Sequence, residues 1–286
     1  MIKNHVLGTA QFGKKNYGIS NFSNELKKEK KIKIILEQAW NFGIRIYDTA
    51  PNYGTEKLLG KFIKGKKIQK KIKIITKITN LKGNTSVISQ IKKSIKLSLK
   101  KLNMNKIHCL LFHNQKDYLL ILKEKNLFNQ IRNEFNIEKI GFSVYDVKVA
   151  KKILKNFPKV ALQFPYNICN TIFDKINKKN NIFFGRSIFL QGLLINDKIK
   201  KGSLNLKKSH KNFINFIKKK NINPLKLCLD HAFSNKKLDY IIYGVTSLSE
   251  LKEIIHYKPK KFINKKLESK IKSLFKKNDI DPRNWK

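Results

Sequence analysis

The chain has 286 residues, 41% hydrophobic and 10% aromatic, with the apolar residues spread along its length, which excludes a disordered chain and suits one large domain. Its formal charge is +44 at pH 7, yet only four of the 63 basic residues are arginine. A surface built to read nucleic acid would use arginine for bidentate phosphate contacts and aromatics for stacking, so the charge reads first as solvated composition. The 39 isoleucines and 31 asparagines agree, because Lys, Ile and Asn all have A/T-rich codons. Such a charge still steers anionic ligands toward the protein. The longest nearly apolar stretch, Ser187 to Ile195, is far short of the roughly 20 residues a membrane-spanning helix needs. The start, Met1-Ile2-Lys3-Asn4-His5, lacks the basic onset and apolar run of a signal peptide. Cys109, Cys169 and Cys228 are odd in number and widely spaced, and no cluster has metal-ligand spacing. A cytoplasmic chain without membrane, disulfide or metal is expected.

Along the chain, short β-branched runs predict strands at Val6–Ala10, Arg45–Thr49, Lys73–Lys77, Ile107–His113, Lys139–Ser143, Val160–Pro165, Ile182–Ser187 and Tyr240–Val245. Several are apolar on both faces, as buried parallel strands are. Amphipathic segments lie between them. Ile32, Ile35, Leu36, Ala39 and Trp40 form one stripe ahead of Gly43, a natural helix stop. Ser86 to Leu102 carries Ile88, Ile91, Ile95, Leu99 and Leu102 at spacings of three and four, with lysines opposite. Eight alternations predict an α/β fold of the (β/α)8 TIM-barrel type over residues 1–257. An open doubly wound sheet fits less well, because no G-x-G-x-x-G follows the first strand. Residues 258–286 form a basic tail with a helical pattern around Phe262, Leu267, Ile271 and Leu274, expected to pack on the barrel.

In such a barrel the chemistry belongs at the C-terminal ends of the strands. Strand two ends in Asp48-Thr49-Ala50-Pro51-Asn52-Tyr53-Gly54, strand three in Lys77, and strand four in His113-Asn114. Taken alone, Asp48 reads as a turn cap, Lys77 as one more of 59 lysines, and His113 as a satisfied histidine. Together they place an acid, a phenol, an ammonium and an imidazole on successive strand ends.

This constellation resembles the aldo/keto reductase family. The run Gly43-Ile44-Arg45-Ile46-Tyr47-Asp48-Thr49-Ala50-Pro51-Asn52-Tyr53-Gly54 is similar to the family's strand-two signature, and Lys77 and His113 match the remaining members of its tetrad in order. Leu7-Gly8-Thr9 and Gly141-Phe142-Ser143 extend the likeness over nearly the whole chain. The resemblance implies an NAD(P)H-dependent oxidoreductase that reduces an aldehyde or ketone. It makes Tyr53 the proton donor, Lys77 the group that lowers its pKa, Asp48 the anchor of Lys77, and His113 the residue that orients the carbonyl or shares in proton transfer.

The resemblance also implies a cofactor site built from Gly8, Thr9, Ser143, Gln163, Arg186, Ser187, Gly244, Val245, Thr246, Ser247, Glu250 and Glu253. Val144 stands where the family usually has an amide-binding Asn, and Arg186 where many members stack an aromatic ring on the nicotinamide. A helix beginning near Leu248 offers backbone N–H groups to phosphate. Glu250 favours a ribose hydroxyl over a 2′-phosphate, which leans the choice between NADPH and NADH toward NADH. Tyr17-Gly18-Ile19, Phe189-Leu190-Gln191-Gly192-Leu193-Leu194 and Asp281-Pro282-Arg283-Asn284-Trp285 are similar to a bacterial subgroup associated with surface-polysaccharide or flagellar sugar modification. That implies a small-molecule carbonyl substrate, a keto-sugar or nucleotide-linked sugar among them, with the oligomeric state open. The loops after strands four and seven read as short, leaving the mouth open to a bulky ligand. Two other readings stay open: a cofactor-binding barrel that regulates without turnover, and a basic nucleic-acid-binding protein, for which one contiguous basic stripe is required.

Overall fold

The computed structural model describes residues 4–13, 17–19, 29–124, 126–260 and 264–285. Its strands are β1 (His5–Gly8), β2 (Ile46–Asp48), β3 (Lys73–Ile78), β4 (Ile107–Phe112), β5 (Ile137–Ser143), β6 (Ala161–Pro165), β7 (Ile182–Arg186) and β8 (Tyr240–Tyr243). They run parallel in chain order, and β8 pairs back onto β1 to close the barrel. The predicted architecture is therefore the observed one, with strand ends shifted by at most two residues. Among the described residues the helices are α1 (Ala10–Gly13), α2 (Glu29–Asn41), α3 (Glu56–Lys66), α4 (Val87–Leu102), α5 (Tyr118–Ile121), α6 (Leu127–Phe135), α7 (Val147–Asn156), α8 (Leu204–Lys219), α9 (Pro224–Ser234), α10 (Leu248–His256) and α11 (Lys265–Ser273). None of them is long and apolar enough to cross a membrane.

Local chemistry sets the helix ends. Ser86 caps α4 by accepting from Ser89 N, and Gly43, at φ +93°, turns the chain after α2. In the tail, Ile271 of α11 is buried, and Phe275 packs against Phe213 of α8 with ring centres 5.7 Å apart. Phe262, like Met1, Ile2 and Lys3, lies outside the described residues.

Strand alternation organises the barrel interior. The inward side chains Val6, Ile46, Ile75, Cys109, Leu111, Ala161, Phe184 and Ile242 form a compact apolar plug. Two residues further toward the C-terminal end, the same inward face carries Gly8 on β1, Asp48 on β2, Lys77 on β3, Gln163 on β6 and Arg186 on β7. His113 and Gly244 follow just beyond β4 and β8, and Ser143 ends β5 opposite Gln163. The plug is apolar and the next layer is polar, so chemistry is confined to the mouth.

One expectation is corrected here. The loop after β7 is not short: it runs from residue 187 to residue 203 before α8 begins. Its apolar residues Ile188, Leu190, Leu193 and Leu194 are buried, which folds the segment down over the barrel. Gln191 O accepts from Ile19 N, and Ile19 O from Lys200 N and Lys201 N, so this loop and residues 17–19 brace each other.

Candidate active site

The centre of the mouth is an ion pair removed from water. Lys77 Nζ lies 2.7 Å from Asp48 Oδ1 and 3.0 Å from Thr49 O, and both side chains are almost wholly buried. Gln163 Nε2 donates to the same Asp48 oxygen at 2.7 Å. Burial pushes the Lys77 pKa down, and Asp48 works against that push by charge and hydrogen bond. Asp48 is itself fixed through its backbone, since its carbonyl accepts from Thr9 N at 2.9 Å and Thr9 Oγ1 at 3.0 Å.

Tyr53 closes the short turn Pro51–Tyr53 that follows β2, so the five-residue spacing from Asp48 brings the phenol over the ion pair. Lys77 Nζ lies 5.0 Å from the ring centre. Gly13 lets the chain approach from the other side, because a Cβ there would fall 1.9 Å from Tyr53 O. His113 meets Tyr53 edge to face, with ring centres 6.0 Å apart. The phenol's pKa is not lowered, as the presence of Lys77 alone led us to expect. Burial, with the charge of Asp48, drives it well above the usual tyrosine range, against a downward pull from Arg186. The physical reason is desolvation: in the closed site a phenolate would lose its hydration beside the Asp48 carboxylate. The site therefore holds a protonated phenol.

A pocket of about 140 Å³ opens beside this centre, between the ends of β7, β8 and β1. It gathers Gly8, Asp48, Tyr53, Arg186, Ser187, Gly244, Thr246 and Glu250 from the expected set. Lys77 and Gln163 reach it through Asp48. The other expected residues stand back from its walls. Thr9 is buried on Asp48 O, Ser143 and Val245 are buried, Ser247 caps α10, and Glu253 is exposed on the outer face of α10. Glu250 serves the backbone as well: its carboxylate accepts from Thr246 N at 2.6 Å and Thr246 Oγ1 at 2.9 Å, while Glu250 N donates to Ser247 Oγ. Two N–H groups at the start of α10 are thus already satisfied by this reciprocal cap.

The residues present fit a nicotinamide nucleotide. Gln163 Oε1 is buried without a hydrogen-bond partner among the described residues, an acceptor suited to a carboxamide N–H. Gly8 and Gly244 line the pocket with backbone alone.

Several residues escaped the sequence reading. Tyr17, Gln11, Gln191 and Asn196 also line the pocket; Tyr17 and Gln191 lie in runs noted only for their likeness to a subgroup, and Gln11 in the four-residue helix α1. Tyr145, just past β5, lies under two guanidinium groups, Arg186 at 4.3 Å and Arg283 at 4.1 Å from its ring centre. The available signal was the rarity of arginine.

Comparison with known proteins agrees with this geometry. A sequence profile described as the aldo/keto reductase family matches residues 6–273. L-galactose dehydrogenase of Arabidopsis thaliana is 24% identical over 238 residues, covering 76% of this chain and 75% of that one. Among solved structures, an aldo-keto reductase from Bacillus halodurans superposes with a TM-score of 0.73 at 20% identity, over 96% of this chain and 92% of that chain. A glycerol dehydrogenase from Gluconobacter oxydans gives 0.67 at 16% identity, over 94% and 90%. At these identities the structural matches speak for the fold.

Proposed function

Because the chain belongs to the aldo/keto reductase family and is an oxidoreductase, we propose that it reduces an aldehyde or ketone to an alcohol with Tyr53 as proton donor. A bound nicotinamide nucleotide supplies the hydride. The observation that carries the reading is the buried Lys77–Asp48 pair at 2.7 Å with the Tyr53 ring above it. As negative charge develops on the carbonyl oxygen, the Tyr53 Oη proton passes to it. The phenolate left behind is stabilised by the fixed ammonium, whose position Asp48 and Gln163 hold. His113, beside the phenol, orients the carbonyl.

Tyr53→Phe tests this directly. Reduction should be lost while cofactor affinity stays within about twofold, since only an interaction made in the transition state is removed. Wild-type turnover in that variant would sink the assignment.

The preference for NADH is argued from Glu250, whose carboxylate faces the pocket and would repel a 2′-phosphate. Burial pushes its carboxyl pKa up, and the Thr246 hydrogen bonds pull it back. Glu250→Arg should raise the NADPH-to-NADH ratio of kcat/KM about tenfold. An unchanged ratio would place residue 250 away from the ribose. For the substrate, the likeness to a protein named L-galactose dehydrogenase supports a sugar carbonyl.

A further inference from the structure

Arginine is scarce in this chain, four residues against 59 lysines, and two of the four converge on one ring at the mouth. Arg186 arrives from the end of β7. Arg283 arrives from the far end of the chain, in the 3-10 turn Pro282–Asn284. Lysine carries most of the solvated charge, whereas only a planar guanidinium both stacks on a ring and presents a fork to an oxyanion.

The charges at the mouth do not all cancel locally. Lys77 is paired with Asp48. Arg283 holds Asp281 with Nε at 2.9 and 3.0 Å and Nη2 at 2.5 Å. Glu250 is occupied by Thr246 on the β8 side. Arg186 has no carboxylate within 4.0 Å among the described residues; it bonds the Tyr145 side chain and, at a long 3.4 Å, Ser187 Oγ. Its surroundings are the phenols of Tyr145, Tyr53 and Tyr17. Arg45 offers a contrast: it also stacks on a ring, Trp40, but its Nη1 is satisfied by two backbone carbonyls. The nearest oxygens to Arg186 are neutral, and the Asp281 carboxylate acts on it from further off while Arg283 holds it, so this half-buried guanidinium has a desolvation cost that an arriving oxyanion would offset.

We propose that Arg186, braced on Tyr145 with Arg283 packed on the same ring, is the anion-holding group of a subsite for a carboxylate or phosphate carried by the carbonyl substrate. This rests on the reductase reading above. The position favours the substrate over the cofactor as the source of the anion. Tyr145, on whose ring Arg283 packs, follows β5, three strands round the barrel from β8 and the Gly244–Glu250 segment where the cofactor's phosphates are expected. Arg186 shares the pocket with Tyr53, so an anion bound there sits in the same cavity as the carbonyl to be protonated.

The test compares two pairs of probes, butanal with 4-oxobutanoate and glyceraldehyde with glyceraldehyde 3-phosphate, on wild type, Arg186→Met and Arg283→Met. Salt is held near 0.2 M so that long-range steering by the +44 surface is screened. We expect the charged member of at least one pair to win in kcat/KM by about tenfold or more, chiefly through KM, with Arg186→Met erasing most of that ratio and Arg283→Met, which loosens the brace on Tyr145, reducing it. Cofactor Kd is measured in all three proteins. Turnover with no charge preference in wild type would overturn the subsite alone. A preserved preference in Arg186→Met would do the same. A weaker cofactor Kd in Arg186→Met with an unchanged probe ratio would assign the anion to the cofactor and overturn it. Cofactor binding without turnover of any probe would bring down the reductase reading and the subsite with it.

Discussion

Gln163 donates from Nε2 to Asp48 at 2.7 Å and leaves Oε1 unpaired in a fully buried position. Gln163→Leu removes one hydrogen bond and one unsatisfied acceptor together, so folding stability should change by less than about 1 kcal/mol. Cofactor affinity should fall about tenfold, the equivalent of one lost hydrogen bond in a dry site. A denaturant titration and a cofactor fluorescence titration separate the two effects; unchanged affinity would mean that Oε1 does not face the carboxamide. At this scale the sequence was most informative where residues sit on strands. Inward positions recur every second residue, so knowing that Ile46, Ile75, Ala161 and Phe184 are apolar fixes Asp48, Lys77, Gln163 and Arg186 as the next inward layer. Arg283 and Tyr17 obey no such period. Their place at the mouth depends on how the tail and the β1 and β7 loops pack, which is a long-range matter.

Helix packing around the barrel turns on small residues as much as on apolar stripes. Gly60 of α3 lies against the last turn of α4, where a Cβ would fall 2.0 Å from Lys101 O. Backbone cannot yield as a flexible side chain does, so Gly60→Ala should destabilise by about 1–3 kcal/mol. Gly65, five residues further along the same helix, has nothing within 4 Å of its added Cβ. There the ordinary helix preference decides, and Gly65→Ala should stabilise by about 0.5–1 kcal/mol. Thermal unfolding of the two variants should therefore move in opposite directions, and a loss in both would mean that α3 does not pack as described. Periodicity located α2 and α4 in the sequence, but neither glycine's role was visible there, because it depends on which helix lies opposite. The β7 loop was misread for a related reason. Its apolar residues, with no period of their own, gave no sign that they fold onto the barrel.

For the molecule as a whole, acid should act through buried histidines. Burial holds His5 and His231 down to about 4, and it also lowers His108 and His210. His5 sits with Nδ1 2.9 Å from the Tyr243 hydroxyl, and His231 stacks on Tyr166 with ring centres 5.0 Å apart. Each is kept neutral in the fold, while the unfolded chain takes up its proton near pH 6.5. Between that pH and about 4 the unfolded state binds more protons, so the stability these residues allow is complete above pH 6.5 and is lost as pH falls. Asp117 opposes the trend, since burial lifts its carboxyl to about 6 and lets the folded state take a proton there. Burial raises Asp174 and Glu250 in the same sense. Ion pairs hold Glu268 and Asp281 below the usual carboxylate range, so they act with the histidines, and protonation adds to the self-repulsion of a chain already at +44. The denaturant midpoint should therefore fall from pH 7 to pH 5 at fixed salt. Each buried histidine contributes up to about 1.4 kcal/mol per pH unit to that slope. His231→Phe keeps the stack on Tyr166 and removes both the titration and the unpaired Nδ1, so its profile should be measurably flatter than wild type. Parallel profiles would mean that His231 titrates in the fold as it does in the unfolded chain, and that the barrel admits water at α9.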